Sequence, residues 1–401
     1  MKLITIDIAS IRLGSPLPFS LRGTDGALLA PKGSVLRTRA DIDVLLSRGI
    51  SLCVDTSESG DSHRVYMSQL HKMLRADTAI GEIATAQLSA ESAFATAESD
   101  IPPDWMDLQL TATKLLRSPS KTDFFDKFTQ LEAVLGTLVH KSPDATLFAL
   151  IFLSTDETRM YSATHSMLVS SICTIAARDV LKWPAEKIHT LARAALSMNI
   201  GMTELQDHLA QQIKPLTAEQ VDAIEKHALR SEAMLKALGV SDPVWLEAVR
   251  RHHDRAPGPL AGKSDAEQIA RLIQRADLFS ARIAPRASRT PMATTAAMQA
   301  SYFDEQQKAD EAGGALIKAL GIYSPGSFVR LASNETAMVV RRGRTATTPR
   351  VAVVINRQGM PTGEAIMRDT GLPAYKITAN IAHCDVKVKL KLDRLLSIVG
   401  Y

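Results

Sequence analysis

From about residue 104 to residue 320, apolar side chains return every three or four positions, and this period constrains the fold more than any other feature. In "FFDKFTQLEAVLGTLVHK", "MLVSSICTIAARDVL", "AEKIHTLARAAL", "TAEQVDAIEKHALRSEAMLKAL" and "VWLEAVRRHH" it gives each segment one apolar face, the pattern of amphipathic helices packed in a bundle. The flanks follow another rhythm. Residues 1–56 alternate with a period near two: "GTDGALLAPKGSVL" reads as a hairpin and "RADIDVLLSRGISLCVD" as a short helix followed by a strand, together a small α/β module. Residues 57–103 are polar, then rich in Ala, Ser and Glu up to a Pro-Pro break, and read as a connector with helix. After "LGIYSPGSF" the period of two returns in "FVRLASNETAMVVRR" and "RVAVVINRQG", so residues 321–401 read as a β-rich extension. The expected fold class is multi-domain, an all-α helical bundle core over 104–320 flanked by the N-terminal α/β module and the C-terminal β-rich extension.

At 401 residues the chain has room for two or three compact units. Its formal net charge of +4 is small for this length, and basic residues are interleaved with acidic ones, so charge does not suggest nucleic acid as a partner. Cys53, Cys173 and Cys384 lie far apart with no CxxC spacing, which fits a reducing compartment, and each reads as a small core residue. The N-terminus lacks the uninterrupted apolar run of a signal peptide. The longest apolar stretch, "ATLFALIFLST", has about half of the ~20 residues a membrane-spanning helix requires. No membrane span and a cytoplasmic location are expected.

The helical region carries the chemistry. His165, Met198-Asn199, His227, His252-His253 and Asp277 fall on successive expected helices, and helical metal sites draw their ligands from facing helices that project inward. Adjacent residues diverge by about 100° round a helix, so two neighbouring inward histidines imply a site approached from more than one direction.

These segments resemble the HD-GYP family, a branch of the HD-type metal-dependent phosphohydrolases that hydrolyse cyclic di-GMP. "YSATHSMLVS" is similar to the family's opening histidine segment, "ALSMNIGM" to its leucine-HD-isoleucine-GK segment, and "IKPLTAEQVDAIEKHALRSEAML" to its K-P-x-x-L-T-x-E stretch and following histidine. "VRRHHDR" resembles the double-histidine segment, "RLIQRADLFSARIAPR" the last metal aspartate with its helix, and "SPGSFVRLASNETAMVVRR" the tail that often follows. The likeness implies an HD-type bundle, divalent metals, a cyclic dinucleotide ligand and protein partners in signalling.

The departures fall on the chemistry. The resemblance aligns Met198 with the HD histidine, Asn199 with the HD aspartate that bridges two metals, and Met202 with the phosphate lysine. A neutral amide has one good donor oxygen where a carboxylate has two anionic ones, and a thioether is too soft for iron, manganese or zinc in such a site. The glycine-tyrosine-proline signature is absent from "DRAPGPLAGKSDAEQ" after His253. The family pattern then leaves His165 and Asp277 as the remnant of one metal site and His227, His252 and His253 as a retained three-histidine set, a workable count for one metal with an open position. No residue is assigned a catalytic role, and the cofactor expected is one divalent transition metal, iron, manganese or zinc, or none. Asp207 and His208 in "TELQDHLAQQ" read as a solvated helix face, with replacement of the missing dipeptide as the alternative. Arg282, Arg286 and Arg289 lie near the phosphate position and are phosphate-binding candidates or surface residues. The arginines of "RRGRTATTPR" read as a solvated hairpin or as contacts for an acidic partner. Two functions are expected to compete: a catalytically impaired module that binds a nucleotide or a partner protein, and an active metal-dependent phosphodiesterase using the remaining histidines.

Overall fold

The computed structural model describes residues 105–156, 158–388, 390 and 392–399, and within the first hundred residues four short strands with a few neighbouring positions. The chain divides into two units, Met1–Asp100 and Ile101–Tyr401. In the first, β1 (Leu3–Thr5), β2 (Leu21–Arg22), β3 (Leu28–Ala30) and β4 (Cys53–Asp55) form an antiparallel sheet in the order β1-β4-β2-β3. Of the hairpin expected over "GTDGALLAPKGSVL", β3 is one arm; its partner β2, in which Leu21 faces Ala30, lies just before that stretch, and β4 is the strand expected in "SLCVD". The helix expected in "RADIDVLLSRG" lies, apart from Asp41, outside the described residues, as does the connector helix of 57–103.

The second unit begins with α1 (Trp105–Arg117), α2 (Phe124–Lys141), α3 (Pro143–Asp156), α4 (Tyr161–Ile175), α5 (Ala185–Ser197) and α6 (Thr203–Gln211). It continues with α7 (Ala218–Glu225), α8 (His227–Ala237), α9 (Pro243–Arg251), α10 (Asp265–Ile283), α11 (Thr294–Tyr302) and α12 (Glu311–Leu320). Helix α4 is the axis of the bundle: it packs against α1, α2, α3, α5, α6, α10 and α12 and is buried almost all round. Its small polar residues, Ser162, Thr164, Ser166, Ser170 and Ser171, let neighbouring helices approach closely, and a helix enclosed on every side is the form a core element takes. Local signals set the ends of its partners. Ser264 and Glu267 close a capping box at the start of α10, and Asp242 accepts from the amides of Val244 and Trp245 at the start of α9, with Pro243 as first helical residue.

The single helix expected over "TAEQVDAIEKHALRSEAMLKAL" is two, α7 and α8, broken at Lys226. The reason is chemical: the ring of His227 takes the carbonyl of Ile224, which a continuous helix would offer to an amide of its next turn.

Past α12 the chain forms an antiparallel sheet of order β8-β7-β6-β5-β9, from β5 (Phe328–Leu331), β6 (Thr336–Arg341), β7 (Arg350–Ile355), β8 (Pro361–Asp369) and β9 (Ile377–Ile381), and ends in α13 (Leu392–Val399). Alternation puts Phe328, Met338, Val340, Ala352 and Val354 in the same apolar core as the helices. Val329, Leu331, Ala337, Val339, Val351 and Val353 form a smaller core on the other face, so a one-residue slip would exchange the two sets. All three cysteines are free, and Cys53 and Cys173 are buried as expected. Cys384 corrects the expectation of a core residue: it lies exposed in the turn after β9. No described helix is long and apolar enough to cross a membrane.

Candidate metal centre

Three of the sequence candidates meet at one point. His227 opens α8, His252 is the C-terminal cap of α9, and His253 follows in the turn. The expectation that both members of the pair lie on a helix is corrected here. Helix α9 stops at Arg251 because the ring of His252 binds the carbonyl of Val249, and beyond the helix end both imidazoles turn to one side, with ring centroids 4.1 Å apart.

The two buried rings are held alike. His227 Nδ1–H donates to the Ile224 carbonyl at 2.5 Å and His252 Nδ1–H to the Val249 carbonyl at 2.6 Å. A carbonyl only accepts, so these bonds fix the Nδ1–H tautomer and leave each Nε2 with its lone pair. Burial pushes the His252 imidazolium down to about 3, helped by the neighbouring histidines, and lowers His227, so both rings are neutral near pH 7. The lone pairs of these Nε2 atoms then face one another at 3.1 Å, and His253 Nε2 stands 3.2 Å from that of His227. Two unprotonated nitrogens at that distance repel unless a cation lies between them. Imidazole–metal bonds of 2.0–2.1 Å in tetrahedral geometry would hold such nitrogens about 3.3 Å apart, so the cluster fits one transition-metal ion. His253 is exposed, which leaves a side of the cluster open to solvent.

His165 and Asp277 are arranged differently. His165, buried in α4, donates from Nε2 to Asp277 Oδ1 at 2.7 Å, and its Nδ1 shares a 2.9 Å hydrogen bond with the Ser280 hydroxyl. Tyr161 stacks on the same ring at 5.4 Å and 13°. Burial opposes ionisation of Asp277, but the hydrogen bond from His165 and the field of nearby rings outweigh it and hold the carboxyl well below the usual range. Every polar atom of the His165 ring is occupied within the protein. Tyr161 and Ser280 were not singled out from the sequence, although each sits on a readable spacing: Tyr161 four residues before His165 and Ser280 three after Asp277, both same-face neighbours on a helix.

At the altered dipeptide, Met198 has no exposed surface and belongs to the main apolar core. Asn199 is 5% exposed, and its Oδ1 meets no hydrogen-bond partner among the described residues. The turn behind it is pressed onto α8: Gly201 donates to the Ser231 hydroxyl, and a Cβ at Gly201 would lie 2.7 Å from the Ser231 amide nitrogen. Met202 is half-buried at the end of this turn. His165 and Asp277 are bonded to each other, and among the described residues no third His, Cys, Asp or Glu joins them in a group that could hold a metal.

The remaining candidates separate. Arg286 reaches the hydroxyl of Tyr161 at 3.2 Å and lies over the Tyr161 ring, with its Nε buried and unpartnered among the described residues. Arg282 is turned about 140° from Asp277 round α10 and shares the face of Arg275. There Arg271 and Arg275 form a buried ion network with Glu305 and Asp310, which braces α10 against the start of α12. Arg289 is exposed. Asp207 corrects the solvated-face reading: it is buried, accepting from the Ser162 amide at 2.7 Å and from Arg117 at 2.6 Å, whereas His208 is exposed.

The helical bundle and its histidine cluster define an HD-type domain, and residues 150–312 match the HD domain family model. Over 244 residues the chain is 25% identical to the cyclic di-GMP phosphodiesterase PA4108 of Pseudomonas aeruginosa, covering 58% of this chain and 57% of the relative, so the match spans little more than half the length of that protein. It is also similar, at 14% identity and a TM-score of 0.42, to the structure of Bd1817, a HDG"Y"P protein from Bdellovibrio bacteriovorus, covering 79% of this chain and 98% of that one. The chain therefore carries an HD domain, and over part of its length it is similar to a cyclic di-GMP phosphodiesterase. HD domains are metal-dependent, and the three-histidine cluster is one that a metal ion can occupy.

Proposed function

We propose that the HD-GYP-like domain of this chain is a regulatory module that binds a cyclic dinucleotide or a partner protein and turns its ligand over weakly or not at all. The observation that carries this reading is Met198, wholly enclosed in the apolar core at the position where the family pattern has a metal-ligating histidine, beside the neutral Asn199. The likeness to a named cyclic di-GMP phosphodiesterase supports a cyclic dinucleotide as the ligand. Cytoplasmic action fits this reading, with the N-terminal module of residues 1–56 and the β-rich extension of 321–401 as the parts that pass occupancy to protein partners.

In this reading His227, His252 and His253 hold one divalent ion of the iron, manganese or zinc kind, and Ile224 and Val249 aim two of the rings through their carbonyls. When bound, such an ion supplies a Lewis acid. Arg286 and Arg282 each keep a buried guanidinium nitrogen without an acceptor, and of the two Arg286 is the phosphate contact in this reading, because Arg282 is turned away from Asp277 round α10. A second reading, residual phosphodiester hydrolysis, is favoured by one observation, the convergence of three imidazole nitrogens on an open side of the cluster.

The test is to load the full chain with manganese or iron, measure cyclic di-GMP binding by calorimetry and follow the linear product by chromatography. Binding with turnover no higher than in His252→Ala is expected. The loss of a two-metal clamp removes several kcal/mol of transition-state stabilisation, each ~1.4 kcal/mol being tenfold in rate. Robust turnover that disappears in His252→Ala would overturn the regulatory reading in favour of the enzyme.

A further inference from the structure

"RRGRTATTPR" is the connection between β6 and β7, and most of it is exposed as the solvated-hairpin reading expects, but Arg342 is half-buried and turned toward the helices. Residues 342–349 fold back onto the helices and bound a cavity of about 370 Å³. Its walls include Asp144 at the start of α3, Lys318 near the end of α12, Tyr323, Arg342, Arg344 and Thr345, and no member of the histidine cluster.

The cradle is fixed by short-range geometry. Arg342 Nε donates to Asp144 Oδ1 at 2.5 Å, and its Nη1 to the Ala319 carbonyl at 2.8 Å, which ties the loop to α3 and α12 at once. The Ile322 amide donates to the Ala346 carbonyl at 3.0 Å. At Gly343 a Cβ would lie 1.7 Å from the Thr348 carbonyl oxygen, so any side chain there forces the loop open.

The charge on these walls is unbalanced. Asp144 is the one carboxylate among the lining residues, and Arg342 already neutralises it. Lys318 and Arg344 form no ion pair among the described residues, so two uncompensated cations border one cavity. Both are exposed to solvent, and an anion seated in the cavity would meet positive charge from α12 and from the β6–β7 connection at once. Tyr323 and Thr345 add hydroxyls, and a guanidinium fork with an ammonium suits the several acceptor oxygens of a phosphate group. The volume exceeds what inorganic phosphate fills and lies at the lower end of the range of small-molecule sites. We propose that this cavity binds a small phosphate ester, independently of the histidine cluster.

Calorimetry on the full chain tests this, with inorganic phosphate and a nucleoside monophosphate as probes. Both are expected to bind, the nucleotide more tightly, and to bind equally well to His253→Ala. Lys318→Ala with Arg344→Ala should weaken both by roughly tenfold or more, as expected on losing charge-assisted hydrogen bonds. Gly343→Ala should weaken them with no change of charge, at an unfolding midpoint close to the parent's for the charge variants. Affinity unchanged in the Lys318/Arg344 variant, loss of phosphate binding in His253→Ala, or no binding of either probe at millimolar concentration would each overturn the proposal. Co-sedimentation with anionic phospholipid vesicles without binding of either soluble probe would overturn it too, by assigning the cations to a lipid surface.

Discussion

His227 and His252 give their Nδ1 protons to backbone carbonyls and turn bare Nε2 atoms toward each other, whereas His165 spends both ring nitrogens on Asp277 and Ser280. The two sets belong to one bundle and to one family pattern, yet the first is an incomplete arrangement that a cation would complete, and the second is complete as it stands. On the proposed reading, a retained histidine letter is not a retained ligand. What distinguishes the cases is where the second ring nitrogen goes: a carbonyl on Nδ1 frees Nε2 for a metal, and a carboxylate on Nε2 occupies it.

The largest effect that sharpens this contrast is metal content. Elemental analysis of the parent is expected to find at most one transition metal per chain, none in His253→Ala, and an unchanged amount in His165→Ala. Two tightly bound metals in the parent, or loss of the metal in His165→Ala, would erase the distinction between the sets.

A smaller effect follows from writing the family's letters back. Met198→His with Asn199→Asp puts an imidazole where an enclosed thioether packs against apolar neighbours, and a carboxylate where Asn199 Oδ1 already lacks a partner. The expected result is a loss of about 2–4 kcal/mol in chelator, the scale for burying unpaired polar groups, with the metal stoichiometry still at one. Binding of a second ion by the double variant would break the comparison: the His165–Asp277 side would then have kept its geometry and lost only its chemistry.

Much of this architecture was legible in the letters, and the exceptions have a common cause. The period of apolar residues marks the helices of 104–320 because packing an apolar face is a property of each segment by itself. The breaks at Lys226 and after Arg251 escape that reading, since they arise where a histidine side chain competes for a backbone carbonyl and the apolar period runs on through both. The five metal-type positions are visible as spacing, but their division into an open and a closed set depends on Ser280, Tyr161 and the tautomers, which periodicity does not carry. Asp207 fails for the same reason. "TELQDHLAQQ" looks solvated because Arg117, its partner, is 90 positions away.

Asp207 provides the mildest and most specific test of the contrast. Helix α4, which carries His165, begins at Tyr161 after Met160, and Met160 offers no side-chain cap, so the first amides of α4 need an acceptor from elsewhere. Asp207 Oδ1 reaches in from α6 to the Ser162 amide, and Oδ2 holds Arg117. A negative charge at the positive end of a helix adds to the hydrogen bond. Asp207→Ala should cost about 2 kcal/mol, the range for a charged cap whose removal leaves a buried amide unpaired, and Asp207→Asn less, because the amide oxygen still accepts. Neither should change the metal content, since the three-histidine cluster does not include Asp207. Chemical denaturation paired with metal analysis of both variants decides the point. A metal lost at unchanged stability would make Asp207 a ligand that stands in for the missing dipeptide, and the polar side chains around α4 would then belong to the open set and not to the closed one.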